Sequence, residues 1–491
     1  MIALDGSVMK IRITPLFCTA IAAVIGFYFL SFAHIAVSIA VMSVLVVLLS
    51  LFRVLASLNE KNCRLQLTSA CCTALAAGLF LGICAAAAGQ NDVNFSIPEN
   101  RVTAIEGVLL EDPRLLSSGS AIVSVSLLRC AGENNLRATS SGEITVFFPH
   151  ESTEKLRQFG RGTQVYAEGR LRTGETGVTF SAVSLHITKP APAIERMRTG
   201  IRLSLIDTFE GKSWGGLALA LLLGVKDNLD VNLSAMYRDA GLSFVLALSG
   251  MHLAVLAAII AFLLRKPLGL KAASITGALI ILLYCFLVGP MPSLIRAAIM
   301  YIIGVIAIIL FLPGQPVSIL CLSFLVQIII TPHAGYSISF ILSYLALAGI
   351  LLTGKQVCSL LAGKVPDFIL QPLSASCGAF LATAGVCSFF FGVIAPVGIF
   401  AGLAVVPLTT VFMIGSMTWL ALDVFNISVI LNFPLSALYR LMEGIVSISG
   451  RAPALSVTSG IIMPVSLILI LAIIVLEYRR SAQLLQLKPF L

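Results

Sequence analysis

LQLTSACCTALAAGLFLGICAAAA (65–88) is followed shortly by RVTAIEGVLL (101–110), and the change of pattern between them decides the fold. The first stretch is apolar around its whole circumference and long enough to cross a bilayer, which takes about 20 residues as a helix. The second is β-branched and alternating, as a half-buried strand requires. A membrane-embedded helical chain therefore carries an all-β insertion.

Working outward, the same two textures account for all 491 residues. Only 11% are charged and 58% are hydrophobic, whereas soluble domains carry about 25% charged residues. Before the third span, the run from about 13 to 52 is too long for a cleavable signal segment and reads as two spans turning near His34. Lys10 and Arg12 precede the first span, and Arg53, Lys61 and Arg64 follow the second. Basic loops stay cytoplasmic, so three spans deliver residues 89–212 to the outer face. From 213 to 491 the chain is hydrophobic again. LALALLLGVKDNLDV (217–231) reads as a re-entrant or interfacial piece leading into a span at 241–264. Further spans are expected near 272–288, 293–312, 316–331, 336–353, 373–392, 396–421 and 461–478, while 424–450 is ambiguous. The expectation is a polytopic α-helical membrane protein of about 10–12 helices. Its parts are N-terminal helices (1–88), an extracytoplasmic β domain (89–212) and a second membrane region (213–491). The net charge of +9 is explained by cytoplasmic-loop basicity.

Within the insertion, strands are expected at 101–110, 121–129, 143–148, 163–172 and 177–187. HESTEKLRQFG (150–160) reads as a helix between the third and fourth, with Ser152 or Thr153 as N-cap. Five strands with a helix in that place is the order of an OB-fold, a barrel that often binds oligonucleotides. Such folds stack bases on aromatic rings over a basic groove. Phe147, Phe148, Tyr166 and Phe180 are the candidate rings, with Arg161, Arg170 and Arg172 for phosphates. Against this, alternating aromatics commonly fill a barrel core, and residues 89–195 carry two Lys and eight Arg against twelve Asp and Glu.

Ionisable groups at membrane depth mark functional sites by default. Arg296 lies one turn into a helix behind Pro290 and Pro292, His252 in the middle of the 241–264 span, and Asp239 just before it. Ser249 and His252, three apart on a continuous helix, would share a face. Such a pair can act as nucleophile and base, and Ala247-Leu248-Ser249-Gly250 approaches the GxSG of rhomboid-type proteases, although no orienting third group is evident. Gly250 and the prolines suit broken helices lining a cavity. No GxxxxGK[ST] loop, HExxH or clustered histidine pattern occurs. Neither a cofactor, a metal nor an ATPase or nuclease activity is expected of the chain.

GLALALLLGVKDNLDVNLSAMYRDAGLSFVLALSGMHLAVL (216–256) resembles the signature stretch of the ComEC family, the inner-membrane DNA-uptake channel of natural transformation. PSLIRAAIM (292–300), SFILSYLALAGI (339–350) and PVGIFAGLAVVPLTTV (396–411) are similar to its later segments. Phe244 stands where that family has its first histidine, Ile341 where it has glutamine and Gly402 where it has asparagine. Many relatives continue into a metallo-β-lactamase-like domain, and this sequence ends at Leu491 before any such region. The resemblance implies passage of single-stranded DNA across the bacterial cytoplasmic membrane. Asp239, Ser249, Gly250, His252, Pro292, Ser293, Arg296 and Ser343 would line the path or touch DNA. It also implies an external DNA receptor, a separate nuclease, and a cytosolic motor or single-strand-binding proteins as partners, besides membrane lipid and further copies of the chain. The alternatives are a permease for a small anionic solute and, less strongly, an intramembrane serine hydrolase.

Overall fold

The computed structural model describes residues 15–28, 63–89, 93–116, 119–132, 137–174, 177–312, 314–452 and 455–456. The expected second span and the span at 461–478 lie outside these residues. Two compact units emerge, and they do not follow chain order. One comprises Met1–Gln90, Arg296–Val405 and Arg451–Leu491; the other comprises Asn91–Ile295 and Val406–Gly450.

In the first unit, α1 (Pro15–Tyr28) packs on α2 (Cys63–Gly89). Their closeness follows from GLFLG (78–82). A Cβ on Gly78 would sit 2.2 Å from the Thr19 carbonyl oxygen, and one on Gly82 2.3 Å from that of Ala23. Small residues four apart let membrane helices approach backbone to backbone. Phe27, Ala86, Phe324, Ile328 and Phe340 form the core they share with later helices of this unit.

The second unit holds the insertion. Its strands are β1 (Val102–Leu109), β2 (Ala121–Gly132), β3 (Glu143–Phe148), β4 (Gln164–Gly174) and β5 (Gly177–Lys189). β1 pairs antiparallel with β2 and β4, as in Ile105↔Cys130 and Ile105↔Ala167. β2 pairs with β3 (Val123↔Val146), β4 with β5 (Ala167↔Leu185), and β3 runs parallel to β5 (Val146↔Phe180). The order β1-β2-β3-β5-β4 returns to β1, so the sheet closes into a barrel. Closure removes the exposed edges that make open sheets associate. Val123, Val146, Val165, Phe148 and Phe180 fill the interior. The helix α3 (His150–Gln158) joins β3 to β4. Its N-cap is Pro149 with no side-chain cap bond, not Ser152 or Thr153; the Thr153 hydroxyl donates instead to Gly119 O at 3.0 Å.

Next come α4 (Ala193–Phe209), α5 (Gly215–Leu223), α6 (Val231–Asp239) and α7 (Ser243–Leu246). α5 is apolar on every side and buried nearly throughout, as a helix with no polar face must be. Gly224 ends it in the left-handed region (φ 70°), which only glycine adopts cheaply. α8 (Gly250–Val288) then spans 39 residues. The two spans expected at 241–264 and 272–288 are thus joined across a bend at Gly269 (φ 76°), behind Pro267.

The remaining described residues are mostly helical: α9 (Pro292–Ile309), α10 (Pro316–Ile330), α11 (Ile338–Gly349), α12 (Lys355–Leu361), α13 (Asp367–Phe391), α14 (Val397–Asp423) and α15 (Val429–Gly450). Among the described residues, seven helical stretches are long and apolar enough to cross a membrane, α15 among them. The segment that read ambiguously is a continuous helix.

Candidate functional site

Arg296 is the buried charge of the membrane region. Pro292 starts α9 and Arg296 follows one turn later, with 7% of its surface exposed. It does not snorkel. Its guanidinium donates to the main-chain carbonyl of Ser343 on α11, and its central carbon lies 5.6 Å from the Tyr344 ring centroid. The Tyr344 hydroxyl donates to Gln327 Oε1 at 2.8 Å and reaches Ser323 Oγ at 3.4 Å. Phe324 and Phe340 flank Tyr344 at centroid distances of 5.4 and 4.7 Å. The Nε of Arg296 has no hydrogen-bond partner among the described residues, nor does the guanidinium form an ion pair there. Between 296 and 405 the sole carboxylate is Asp367. A buried guanidinium with a carbonyl, a π face and no counter-charge among the described residues carries a desolvation cost of several kcal/mol that a bound anion would offset. Ser343 takes part through its backbone rather than its hydroxyl. Sequence reading missed Tyr344 and Gln327, for which a polar pair recurring on two apolar helices is the only signal.

Ser249 and His252 belong to the second unit and do something else. Ser249 is extended (φ −125°, ψ 171°) and lies outside α8 as its N-cap. Its hydroxyl accepts from Met251 N at 3.3 Å, and His252 Nδ1 accepts from Ser249 N at 3.0 Å. This is a capping box, with histidine in the place usually held by Glu or Gln. His252 therefore sits in the first turn of a helix rather than mid-span. The Ser249 hydroxyl lies 3.3 Å from Nδ1, the nitrogen already engaged by the backbone. His252 is 2% exposed and its Nε2 has no partner among the described residues.

The chain break ahead of α8 has a second lock. With 247–249 non-helical, Leu248 loses its helical partner, and Ser293 Oγ donates to the freed carbonyl at 2.5 Å. Gly250 opens α8 without a side chain of its own. Asp239 closes α6, 3.5 Å from Arg238, with its side chain 57% exposed.

On the barrel, the candidates divide by strand alternation. Phe148 is 1% exposed and Phe180 is fully buried. Both rings fill the core and present no face to a base, which corrects the assignment of Phe148. Tyr166, Arg170 and Arg172 alternate along the outward face of β4. Arg161 stands apart in the preceding loop, where its backbone N–H donates to Asp112 Oδ1 at 3.2 Å.

A junction that the sequence did not announce fixes the barrel to its unit. Asp112, between β1 and β2, receives Arg198 at 2.5 and 3.0 Å and Arg202 at 2.8 Å. Arg198 also pairs with Glu195 at 2.7 Å. Both arginines donate onward to the last carbonyls of α8, Leu287 O at 3.2 Å and Val288 O at 2.9 Å. Cations at a helix C-terminus satisfy carbonyls left without partners and oppose the dipole. Desolvation pushes the Asp112 carboxyl up, but the hydrogen bonds from Arg198 and the charges of both arginines outweigh it and hold the pKa below the usual carboxylate value.

Comparison with known proteins bears on the region that holds both the cap and Arg296. An "Uncharacterized protein" of Aquifex aeolicus (strain VF5) is 27% identical over 295 residues, 59% of this chain and 68% of that protein. ComE operon protein 3 of Bacillus subtilis (strain 168) is 28% identical over 134 residues, 26% of this chain and 17% of that protein. The similarity thus spans a small part of the Bacillus protein. No solved structure matches. The family described as "Competence protein" matches residues 221–480, more than half of the chain and the stretch that carries SGMH and PSLIRA. With its row of membrane-length helices, the chain belongs to the competence protein family.

Proposed function

We propose that this protein forms the path by which single-stranded DNA crosses the bacterial cytoplasmic membrane during uptake. Membership of the competence family supports a role in DNA uptake. The observation that carries the finer reading is Arg296, buried at membrane depth with an unsatisfied Nε and no carboxylate partner among the described residues. A polyanion entering a low-dielectric region needs such compensation. The barrel adds support: β3 runs parallel to β5 with a helix before β4, an order consistent with an OB-like barrel, and Tyr166, Arg170 and Arg172 face outward on one strand. In this reading the barrel is extracytoplasmic and meets the strand first. An external receptor, a nuclease and a cytosolic motor or single-strand-binding proteins act with it, and the chain itself does no catalysis.

The test is import of end-labelled DNA into cells whose own copy is deleted and replaced by wild type or Arg296→Gln. Import restored by wild type and reduced at least tenfold by the variant is expected. Equal import with and without the gene would overturn the reading. The enclosure of Arg296 by Tyr344 favours a small anion as a second reading. Loss of small-anion uptake with intact DNA import would select it.

A further inference from the structure

We infer that a pocket formed by Lys226, Ser234, Arg238 and Ser243 binds a phosphodiester of the single strand. This inference rests on the proposed path for DNA. The pocket has a volume of about 270 Å³, with Val231, Ala235 and Leu246 completing its wall. Ligand pockets run from roughly 300 to 1,000 Å³, so this one holds a single group of a longer molecule rather than enclosing a whole ligand.

Its chemistry is that of an anion site. Two cations and two hydroxyls line it, and no carboxylate does. Lys226 has no hydrogen-bond or ion-pair partner for its ammonium among the described residues. It is exposed, yet desolvation by the pocket wall and the nearby charge of Arg114 both lower its pKa. The carboxylates of the neighbourhood are committed elsewhere. Asp227 Oδ1 accepts from Leu115 N at 3.3 Å, and Asp230 caps α6 by accepting from Asn232 N at 2.8 Å. Glu111 is paired with Arg114 at 2.5 Å. Asp239 touches Arg238 only at 3.5 Å, with both side chains exposed; an exposed pair contributes little and yields readily to a phosphate.

Placement favours a strand over a lipid headgroup. Leu115, bonded to Asp227, belongs to the short strand Arg114–Leu115 that pairs with β2 of the barrel. The pocket therefore lies beside the barrel's base, where a strand leaving an OB-type surface would pass. Single-strand sites combine such a basic track with separate stacking rings.

The experiment uses the full chain in nanodiscs of neutral lipid, with a short fluorescent oligothymidylate titrated across a salt series. Wild type should bind with a steep salt dependence. The double variant Lys226→Gln/Arg238→Gln should flatten the slope of log K against log salt by about 0.7, the loss of one phosphate contact on a single strand. Lys226→Arg, which keeps the charge, should bind like wild type and shows that the site folds. Wild-type binding left unchanged by the double variant would overturn this inference and leave the proposed path standing. No oligonucleotide binding by wild type would overturn both. If the double variant instead loses co-purifying anionic lipid while holding the oligonucleotide as tightly, the pocket is a headgroup site and the inference fails.

Discussion

The guanidinium of Arg296 donates to the main-chain carbonyl of Ser343, 47 positions later on another helix of the same unit. A carbonyl carries partial charge only, so the cation is positioned without being neutralised.

This has opposite consequences for stability and for transport. Replacing even a buried ion pair with apolar side chains of similar volume is often neutral or stabilising by about 1–4 kcal/mol, and a buried cation without a counter-ion has less Coulombic attraction to lose. Arg296→Met should therefore leave the detergent-solubilised protein as resistant to thermal unfolding as wild type, or more so. The same variant should lower DNA import at least tenfold. Parallel loss of stability and import would mean that Arg296 is a packing element.

How far this site was legible in the sequence depends on the residue. Arg296 stood out because a charge in an apolar run is conspicuous, and Pro292 set its helical position. Tyr344 and Gln327 did not, since uncharged polar residues are common in membrane helices and only three-dimensional pairing distinguishes these. The five barrel strands were readable from alternation and turn residues, because one face of each is buried. That Phe148 points inward could not be assigned from its own side chain: aromatics serve both faces, and the phase is set by Ile144 and Val146 on the same strand. Ser249 and His252 were misread for a simpler reason. Apolar periodicity runs straight through 241–264, and the break at 247–249 is written in the hydrogen bond that Ser293 donates and the one that His252 accepts, which spacing does not reveal.

That break supplies the next prediction. Because His252 Nδ1 accepts the Ser249 backbone N–H, a glutamine at the same helical position can replace it within a capping box. His252→Gln should unfold at nearly the wild-type temperature, whereas His252→Ala and Ser249→Ala should each lose about 1 kcal/mol. Equal destabilisation by Gln and Ala would show that the imidazole acts through its other nitrogen.

Asp112 should be far more sensitive than any cap. Removing one partner of a buried charge cluster costs about 3–5 kcal/mol, since the remaining charges are left uncompensated. Asp112→Asn removes the ion-pair partner of Arg202 and leaves Arg198, which is 2% exposed, with Glu195 alone. Both tryptophans of the chain, Trp214 and Trp419, lie in this unit with ring centroids 5.3 Å apart, so their fluorescence reports its unfolding in denaturant. A loss below 1 kcal/mol would show that the junction is wet and weak.

The same carboxylate sets a pH window. Its folded pKa is depressed, so its contribution is fully present above the unfolded value of about 3.9 and is lost as pH falls through the folded value. Stability traced to Asp112 should be flat from neutral pH down to about 5 and should decline only in stronger acid. Wild type minus Asp112→Asn, followed by tryptophan fluorescence, isolates the term. A difference that already shrinks between about pH 7 and 5 would contradict a depressed carboxylate.

Helix packing in the first unit gives the sharpest steric test. A Cβ on Gly349 of α11 would lie 2.2 Å from the Gly378 carbonyl oxygen of α13, and one on Gly378 would lie 2.6 Å from the Gly349 oxygen. Neither obstacle is a side chain that can rotate away, so the helices themselves must separate. Gly304 on α9 has nothing within 4 Å of an added Cβ. An alanine there gains helix propensity of about 0.5–1 kcal/mol with no clash. Gly349→Ala should therefore destabilise by about 1–3 kcal/mol or more, and Gly304→Ala should be neutral or stabilising. The two substitutions add the same methyl to the same residue type, so opposite signs in thermal unfolding would isolate backbone contact between α11 and α13 as the cause. Matching signs would mean that these helices are not held at glycine distance.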